Sequence, residues 1–581
     1  MRRRLGAQWR RPAAARRRCS AATRAACCPL APRETFRSSA LLTSIRHWLD
    51  RNILELGREM RLSFLPPLMV YVAAGVSGLT GIVGTFFVKE HLGLSAAFLA
   101  ALGFWAGIPW ALKMPVGHLV DLIWRHKAAL VWLGAGLIAA SLLIMYGLVA
   151  EPLRMGAVMS LEAWFVLSAL LAPVGYVVQD VVADAMTVEA VPRVDEYGIA
   201  LPAETRRLMN TTLQTLGRVA IIGGGVLVSV VNVLMFQGVE ALPKAAKVAV
   251  YADVYGMALL IPLVSVAGVL LASVLRRRDE RRLRARGFDG AHLRALLEPP
   301  LEPVRPNWWI LGGSAVFVAI SLVVGLAQLN FSQEIIFVGS FAVISFLMAR
   351  LLRELDDESR RTLLGTAIII FVFRAVPGPG AGSTWWMIDV LGFDQSFLAR
   401  LSLIASVLTL FGLFLFRRFM GERSIAYIVG FLTLTGTLLS LPTLGMYYGL
   451  HEWTAAHTGG IVDARFIALV DTALESPLGQ IAMVPMLAWI ANSAPAGLKA
   501  TYFAVMASFT NLALSASQLG TKYLNEWYHV SREVRDPASN AIRVAADYGE
   551  LGNLFLVAIV LGLLLPFAAI WLTRLLKLHS A

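Results

Sequence analysis

Cysteine is almost absent from this chain: Cys19, Cys27 and Cys28 are its three, all near the N-terminus. The rest of the sequence therefore holds no disulfide and no thiolate metal site, and redox chemistry has no thiol to work with. Charge is scarce too. Only 15% of the 581 residues are charged, against 57% hydrophobic, too few for a water-soluble fold of this size. Long polar stretches are missing, which leaves no room for a large soluble domain. No GxxxxGK phosphate loop occurs, so an ATP-driven pump lacks its cradle. The histidines, among them His47, His118, His451 and His457, fall at no metal-ligand spacing. No nucleophile stands in the convergent setting an enzyme needs. No cofactor or resident metal is expected.

What is present is a succession of apolar windows. A helix needs about 20 apolar residues to cross the hydrocarbon core of a bilayer. Such windows lie at 64–88, 96–120, 128–150, 161–190, 205–232 and 250–275, then at 307–328, 333–353, 362–390, 395–419, 424–450, 461–491, 500–527 and 549–577. They predict an all-α polytopic membrane protein with about fourteen spans. Leaving aside the N-terminal tail and five basic residues inside spans, an N-terminus placed inside puts 24 Lys and Arg in the inner loops and C-terminal end, against eight outside. That bias sets orientation, so both termini are expected to be cytoplasmic, in the cell (inner) membrane. The net charge of +14 reads as topology rather than as a nucleic-acid footprint. Residues 1–60 form a basic tail; its first 37 hold eleven Arg and one acid, Glu34, with no apolar run suited to a signal peptide. Residues 276–306, with nine Arg, form a basic cytoplasmic loop.

The chain repeats itself. Thr85–Leu102 (TFFVKEHLGLSAAFLAAL) aligns without gaps to Thr384–Leu401 (TWWMIDVLGFDQSFLARL) at an offset of 299, with seven of eighteen positions identical and Phe86 and Phe87 falling on Trp385 and Trp386. A second match, at an offset of 291, sets Asp180 and Asp184 on Asp471 and Glu475. Transporters commonly join two related halves around a central site. The expected organisation is a six-helix bundle at 61–275, the basic loop, an inserted helix pair at 307–353 outside the transport path, and a second six-helix bundle at 354–581.

Ionisable groups at membrane depth cost about 3 kcal/mol each on insertion scales, so they should face protein or water. Asp180 and Asp184, four residues apart, share a helix face with Tyr176 and Thr187. With Asp471 and Glu475 they make two carboxylate pairs suited to loading and releasing protons. The alternative is a structural ion pair with a buried base, and Lys113, Arg218, Arg374, Arg400 and Arg465 supply the bases. These could equally hold an anionic substrate. Arg374 precedes Pro377, Gly378, Pro379 and Gly380, a run that must break the helix near the site. Trp385 and Trp386 follow, placed either to stack on a planar ligand or to sit in an interfacial aromatic belt. Gly75, Gly78, Gly81 and Gly84 recur every third residue, which reads as a close helix contact. Gly117 and Asp121, with Arg125 and Lys127 after them, form a charged cluster suited to latching one conformation.

The Gly117–Lys127 segment resembles the loop after the second helix of the major facilitator superfamily, where GxxxD precedes basic residues. Gln179-Asp-Val-Val-Ala-Asp-Ala-Met-Thr-Val-Glu189 is similar to the DVVADA(x)VVE pattern of the folate–biopterin transporter family. Phe373-Arg-Ala-Val-Pro-Gly-Pro-Gly380, Leu391–Arg400 and Asp471–Gln480 resemble further helices of that family. The resemblance covers most of residues 60–575 and implies a major facilitator fold, two six-helix bundles plus the inserted pair. It further implies proton- or ion-coupled symport of a small anionic folate or pteridine by alternating access, with the buried charges Asp180, Asp184, Arg374 and Arg400 in substrate or coupling roles. The loop after Asp121 is shorter than that family's, and the inserted pair is a departure from its pattern. Rival readings are an exporter of an unrelated metabolite or drug, and a non-transporting assembly factor or receptor on the same scaffold.

Overall fold

The structure is a computed structural model. It describes residues 55–581 except 59, 93, 112, 124–125, 193–198, 200, 290–307, 327–330, 354–355, 417–418, 420–422, 480, 482–498, 536–541 and 581, with some further side chains also left out. The chain divides into a leading unit, residues 1–58, in which one helical turn at Glu55–Arg58 is described, and a main unit, residues 59–581.

In the main unit helices occupy all fourteen windows. The first half holds α1 (Leu65–Val76), α2 (Gly81–His91), α3 (Ala96–Ala111), α4 (Lys113–Leu122), α5 (Lys127–Ala150), α6 (Leu161–Ala190), α7 (Ala203–Met235), α8 (Lys244–Ala258) and α9 (Leu260–Arg284). Next come α10 (Trp308–Leu326) and α11 (Ser332–Leu352). The second half holds α12 (Asp357–Arg374), α13 (Ala381–Asp389), α14 (Gln395–Leu415), α15 (Ile425–Tyr447), α16 (Ala464–Glu475), α17 (Lys499–Trp527) and α18 (Leu551–Leu575). Among the described residues, ten helical stretches are long and apolar enough to cross a membrane. The shortfall from fourteen has local causes. The apolar window of α10 is short, the ninth span is broken between α12 and α13, the twelfth runs beyond the described residues, and α17 carries a polar face. Trp132, Leu133, Leu143, Leu263, Leu438 and Leu564 point outward, as they do where lipid is the solvent.

Small residues set the helix contacts, because close backbone approach supplies the packing that water would otherwise drive. A Cβ on Gly175 of α6 would lie 2.7 Å from the Gly134 carbonyl oxygen of α5. Nearby, the Ser141 and Ser168 hydroxyls meet at 2.9 Å. Of the four regularly spaced glycines, Gly75 alone makes such an approach: a Cβ there would run into the Ile221 carbonyl oxygen of α7, whereas one on Gly78 or Gly81 would meet nothing within 4 Å. The glycine spacing instead coincides with a 3-10 segment, Ser77–Thr80, that joins α1 to α2.

The sequence repeat is a structural one. Helices α3 and α14 begin 299 residues apart, and each start is capped alike. Ser95 Oγ accepts from the Phe98 amide at 3.1 Å, and Asp394 Oδ1 accepts from the Phe397 amide at 2.6 Å. The halves meet along two related seams, α3 against α17 and α7 against α14. On the second, Ser229 lies 2.9 Å from Ser402 Oγ and 3.2 Å from Ser406 Oγ. The helix pair between the halves leans on the first seam. Gln333 of α11 donates to the Ala101 carbonyl at 3.4 Å, while Glu334 accepts from Tyr523 of α17 at 2.5 Å.

One element lies outside the all-helical expectation. The segment joining α17 to α18 forms a small antiparallel hairpin, β1 (Val534–Arg535) with β2 (Ile542–Val544), extended by the Ser531–Asp547 bridge.

Candidate functional site

The strongest concentration of charge inside the bundle belongs to the first half. Lys113, at the start of α4, reaches across to α6 and places its ammonium 2.6 Å from Asp180 Oδ2 and 2.8 Å from Asp184 Oδ2. Asp184 Oδ1 accepts a 2.7 Å hydrogen bond from Tyr71 of α1. The guanidinium of Arg218, on α7, acts electrostatically on Asp180 and on Tyr71. Four helices thus converge on two carboxylates and two bases, and the formal charge cancels. The Tyr71 ring is held by Gly217, whose Cβ would come within 3.0 Å of it. Further along α6, Gln214 of α7 donates to Thr187 at 3.3 Å, and Thr187 donates to the Asp184 carbonyl at 2.6 Å. Glu189, on the other side of α6, pairs with Lys127 at 2.5 Å, so Lys127 is a partner of that helix.

The second half is built differently. Asp471 and Glu475 lie on one face of α16, one turn apart. Asp471 is half-buried and Glu475 exposed, and buried Asp471 Oδ1 has no hydrogen-bond partner among the described residues. The two carboxylate pairs differ in depth as well. Asp180 lies twenty residues beyond its helix cap, Ser160, and Asp471 eight beyond Asp463, or about 30 Å against about 12 Å of helix rise. Lys113 has no counterpart: 299 residues on stands Gly412, where a Cβ would run into the Pro477 carbonyl oxygen.

Arg374 ends α12, half-buried, with no hydrogen-bond or ion-pair partner among the described residues and burial as the one influence on its charge. The proline–glycine break that follows it is not open. Ser517 donates to the Val376 carbonyl at 2.7 Å, Thr521 accepts from the Gly378 amide at 3.0 Å, and Asn525 donates to the Pro379 carbonyl at 3.2 Å. These three polar residues, four apart on one face of α17, fasten the break to that helix. Their spacing is visible in the sequence and was the available signal.

Trp385 and Trp386 are 2% and 3% exposed. Trp386 packs against Tyr447 and Phe555, and the Arg532 guanidinium covers Trp385 at 4.7 Å from its ring centroid. Arg400, read from sequence as a buried base, is exposed on α14. Arg465, read likewise, is also exposed and donates to the Gly392 carbonyl at 2.9 Å. Its place at the first turn of α16, beside the Asp394 cap, explains why it is not at depth. Of the expected latch, Gly117 faces Val181 of α6; the Asp121 side chain and Arg125 lie outside the described residues.

The halves are also tied where α2, α13 and α17 end. Lys89 of α2 pairs with Asp389 of α13, and Asp389 also accepts from the Tyr548 hydroxyl at 2.5 Å. Gln395 of α14 donates to the Tyr251 hydroxyl of α8 at 2.6 Å.

Two related helical halves wrapped in an apolar exterior form a multi-pass membrane protein of the major facilitator fold, and the family it matches makes it a transporter, not an enzyme. The structure of a POT family transporter in complex with 5-aminolevulinic acid matches with a TM-score of 0.57 at 12% identity, covering 89% of this chain and 96% of that one. That of a peptide transporter POT in complex with alafosfalin matches with a TM-score of 0.53 at 15% identity, over 88% and 94%. The chain belongs to the BT1 family, that of the folate–biopterin transporters; the family's model matches residues 74–578. The Folate-biopterin transporter of Synechocystis sp. (strain ATCC 27184 / PCC 6803 / Kazusa) is 24% identical over 493 residues, 84% of this chain and 80% of that protein.

Proposed function

We propose that this transporter carries a folate or pteridine-like anion by alternating access coupled to protons, in the cell membrane with both termini cytoplasmic. The observation that carries the reading is the contact of one ammonium, Lys113, with two carboxylates, Asp180 and Asp184. One base between two acids has two resting arrangements. A proton arriving on one carboxylate frees Lys113 to serve the other, and α4, which carries Lys113, packs on α17 of the opposite half. Protonation in the first half is thereby linked to the contact between halves, the element that rocking must change. Arg374 supplies the complement: a cation at membrane depth with no partner among the described residues is costly, and a substrate carboxylate would offset that cost. Asp471 and Glu475 would serve as a second proton-accepting pair.

The test is uptake of labelled folate into proteoliposomes with and without an imposed pH gradient. Gradient-driven uptake that Asp184→Asn abolishes while the protein stays folded is the expected result. Uptake indifferent to the gradient would remove proton coupling. No folate uptake by active, folded protein would remove the solute assignment.

A further inference from the structure

Among the described residues Arg532 is the most deeply buried charged residue, at 2% exposure, and the mechanism above makes no use of it. It begins the hairpin segment between α17 and α18, in the loop that the charge count assigns to the outer side. Val530 fixes its position: a Cβ on Gly382 of α13 would lie 2.7 Å from Val530 Cγ1, so hairpin and helix are pressed together and Arg532 is laid on Trp385. One terminal nitrogen, Nη1, donates to the Val88 carbonyl of the opposite half. Nε and Nη2 have no acceptor among the described residues. The Asp389 carboxylate acts on it electrostatically, while the contacts of that carboxylate go to Lys89 and the Tyr548 hydroxyl, which leaves the guanidinium only partly offset.

A buried guanidinium held by one neutral carbonyl and an aromatic face is poorly compensated, and buried charge of that kind is rarely kept for stability. Burial pushes its pKa down to about 10, so it remains a cation at neutral pH. Its fork geometry matches a carboxylate in two-point contact. The Trp385 ring lies beneath it, and Val88 reaches it from the first half. Parting the halves at this end removes the Val88 contact and the Lys89–Asp389 pair together, and leaves the Arg532 guanidinium on the indole face of Trp385.

We propose that Arg532, lying on the Trp385 ring, is an anion-docking point at the outer mouth of the transport path, concealed here by the meeting of the halves, which takes a carboxylate of the arriving solute. The site lies apart from Arg374 and acts before it. This inference rests on the proposed transport of a folate-like anion and on the outer placement of the hairpin.

Folate carries carboxylates on a planar pterin; biopterin has the pterin without them. In proteoliposomes, Arg532→Ala should raise the KM for folate by about tenfold, the size of one charge-assisted contact. For biopterin the rise should stay under about threefold, and Arg532→Lys, which keeps the charge but loses the fork, should fall between wild type and Arg532→Ala for folate. Equal effects on the two solutes, or an unchanged folate KM, would overturn the docking role and leave the folate assignment standing. A second readout needs no transport: modification of Arg532 by phenylglyoxal in the full-length protein, followed by mass spectrometry. Folate, and glutarate as a simple dicarboxylate, should protect Arg532 where biopterin does not. Protection by glutarate without folate uptake would keep the site and remove the solute; absence of protection by either dicarboxylate would remove the site.

Discussion

The two halves share a sequence repeat yet handle charge in opposite ways. In the first, Lys113, Asp180, Asp184, Tyr71 and Arg218 close on one another, so every charge has a neighbour of the other sign. In the second, among the described residues, Arg374 has no partner and the one charge acting on Asp471 is the like charge of Glu475. The pivot of the difference is one position. Where α4 offers Lys113, the repeat offers Gly412, packed so tightly against Pro477 that no side chain fits. A half whose charges satisfy one another is stable without help and, on the proposed mechanism, changes state when a proton arrives. A half whose charges are unsatisfied gains most from a ligand. On the proposed mechanism coupling belongs to the first half and solute to the second, and a single lysine marks the division.

Removing Lys113 tests this comparison most severely. Lys113→Met leaves Asp180 and Asp184 side by side on α6 with Arg218 alone to offset them. Stranding one side of a buried ion pair typically costs about 3–5 kcal/mol, so a large fall in thermal stability in detergent is expected together with loss of uptake. Adding Asp180→Asn to Lys113→Met should restore much of the stability and none of the gradient dependence. Full stability in Lys113→Met alone would show that the circuit is not what holds the first half together.

Arg374→Ala should behave in the reverse manner. Uptake is lost, but the melting temperature holds or rises, because the residue removed has no partner to strand among the described residues and its burial cost on the order of 1 kcal/mol or more. A drop as large as that of Lys113→Met would mean that Arg374 is paired in the folded protein, and the contrast between the halves would fail. Tyr71→Phe is the finer version in the first half. It deletes one hydrogen bond to a charged acceptor, about 1.5–3 kcal/mol, and should lower stability by less than Lys113→Met while leaving measurable uptake.

Much of this is legible in the sequence, and the reasons differ by element. The α3 and α14 starts follow from the residues alone, since Ser95 and Asp394 stand in the same place of the same repeat and do the same capping work. The pairing of Asp180 and Asp184 on one face follows from helical spacing. Tyr71 is hidden because nothing local marks it: it meets Asp184 from 113 residues away, and an apolar helix with one tyrosine looks like any other. Arg532 is hidden for another reason. It stands in a polar loop, where arginine ordinarily means solvent and orientation, and only the close approach of Gly382 to Val530 turns that loop inward. The match of Asp471 to Asp180 is correct as a pattern of letters and uninformative about depth, because α16 starts closer to its acids than α6 does.

That mismatch in depth sets the smallest expected effect. Asp471→Asn removes a carboxylate whose charged neighbour is Glu475, so it relieves a repulsion instead of breaking a pair. Like charges one turn apart on a helix are worth about 0.2–0.5 kcal/mol, and the melting temperature should stay level or rise slightly, with gradient-driven uptake reduced only a few-fold. Asp180→Asn at the same letter of the repeat should abolish it, because there the carboxylate is one of two that share Lys113. If the two substitutions instead proved equally damaging, the halves would share the coupling work despite their unequal depths. The single lysine would then no longer account for the division between them.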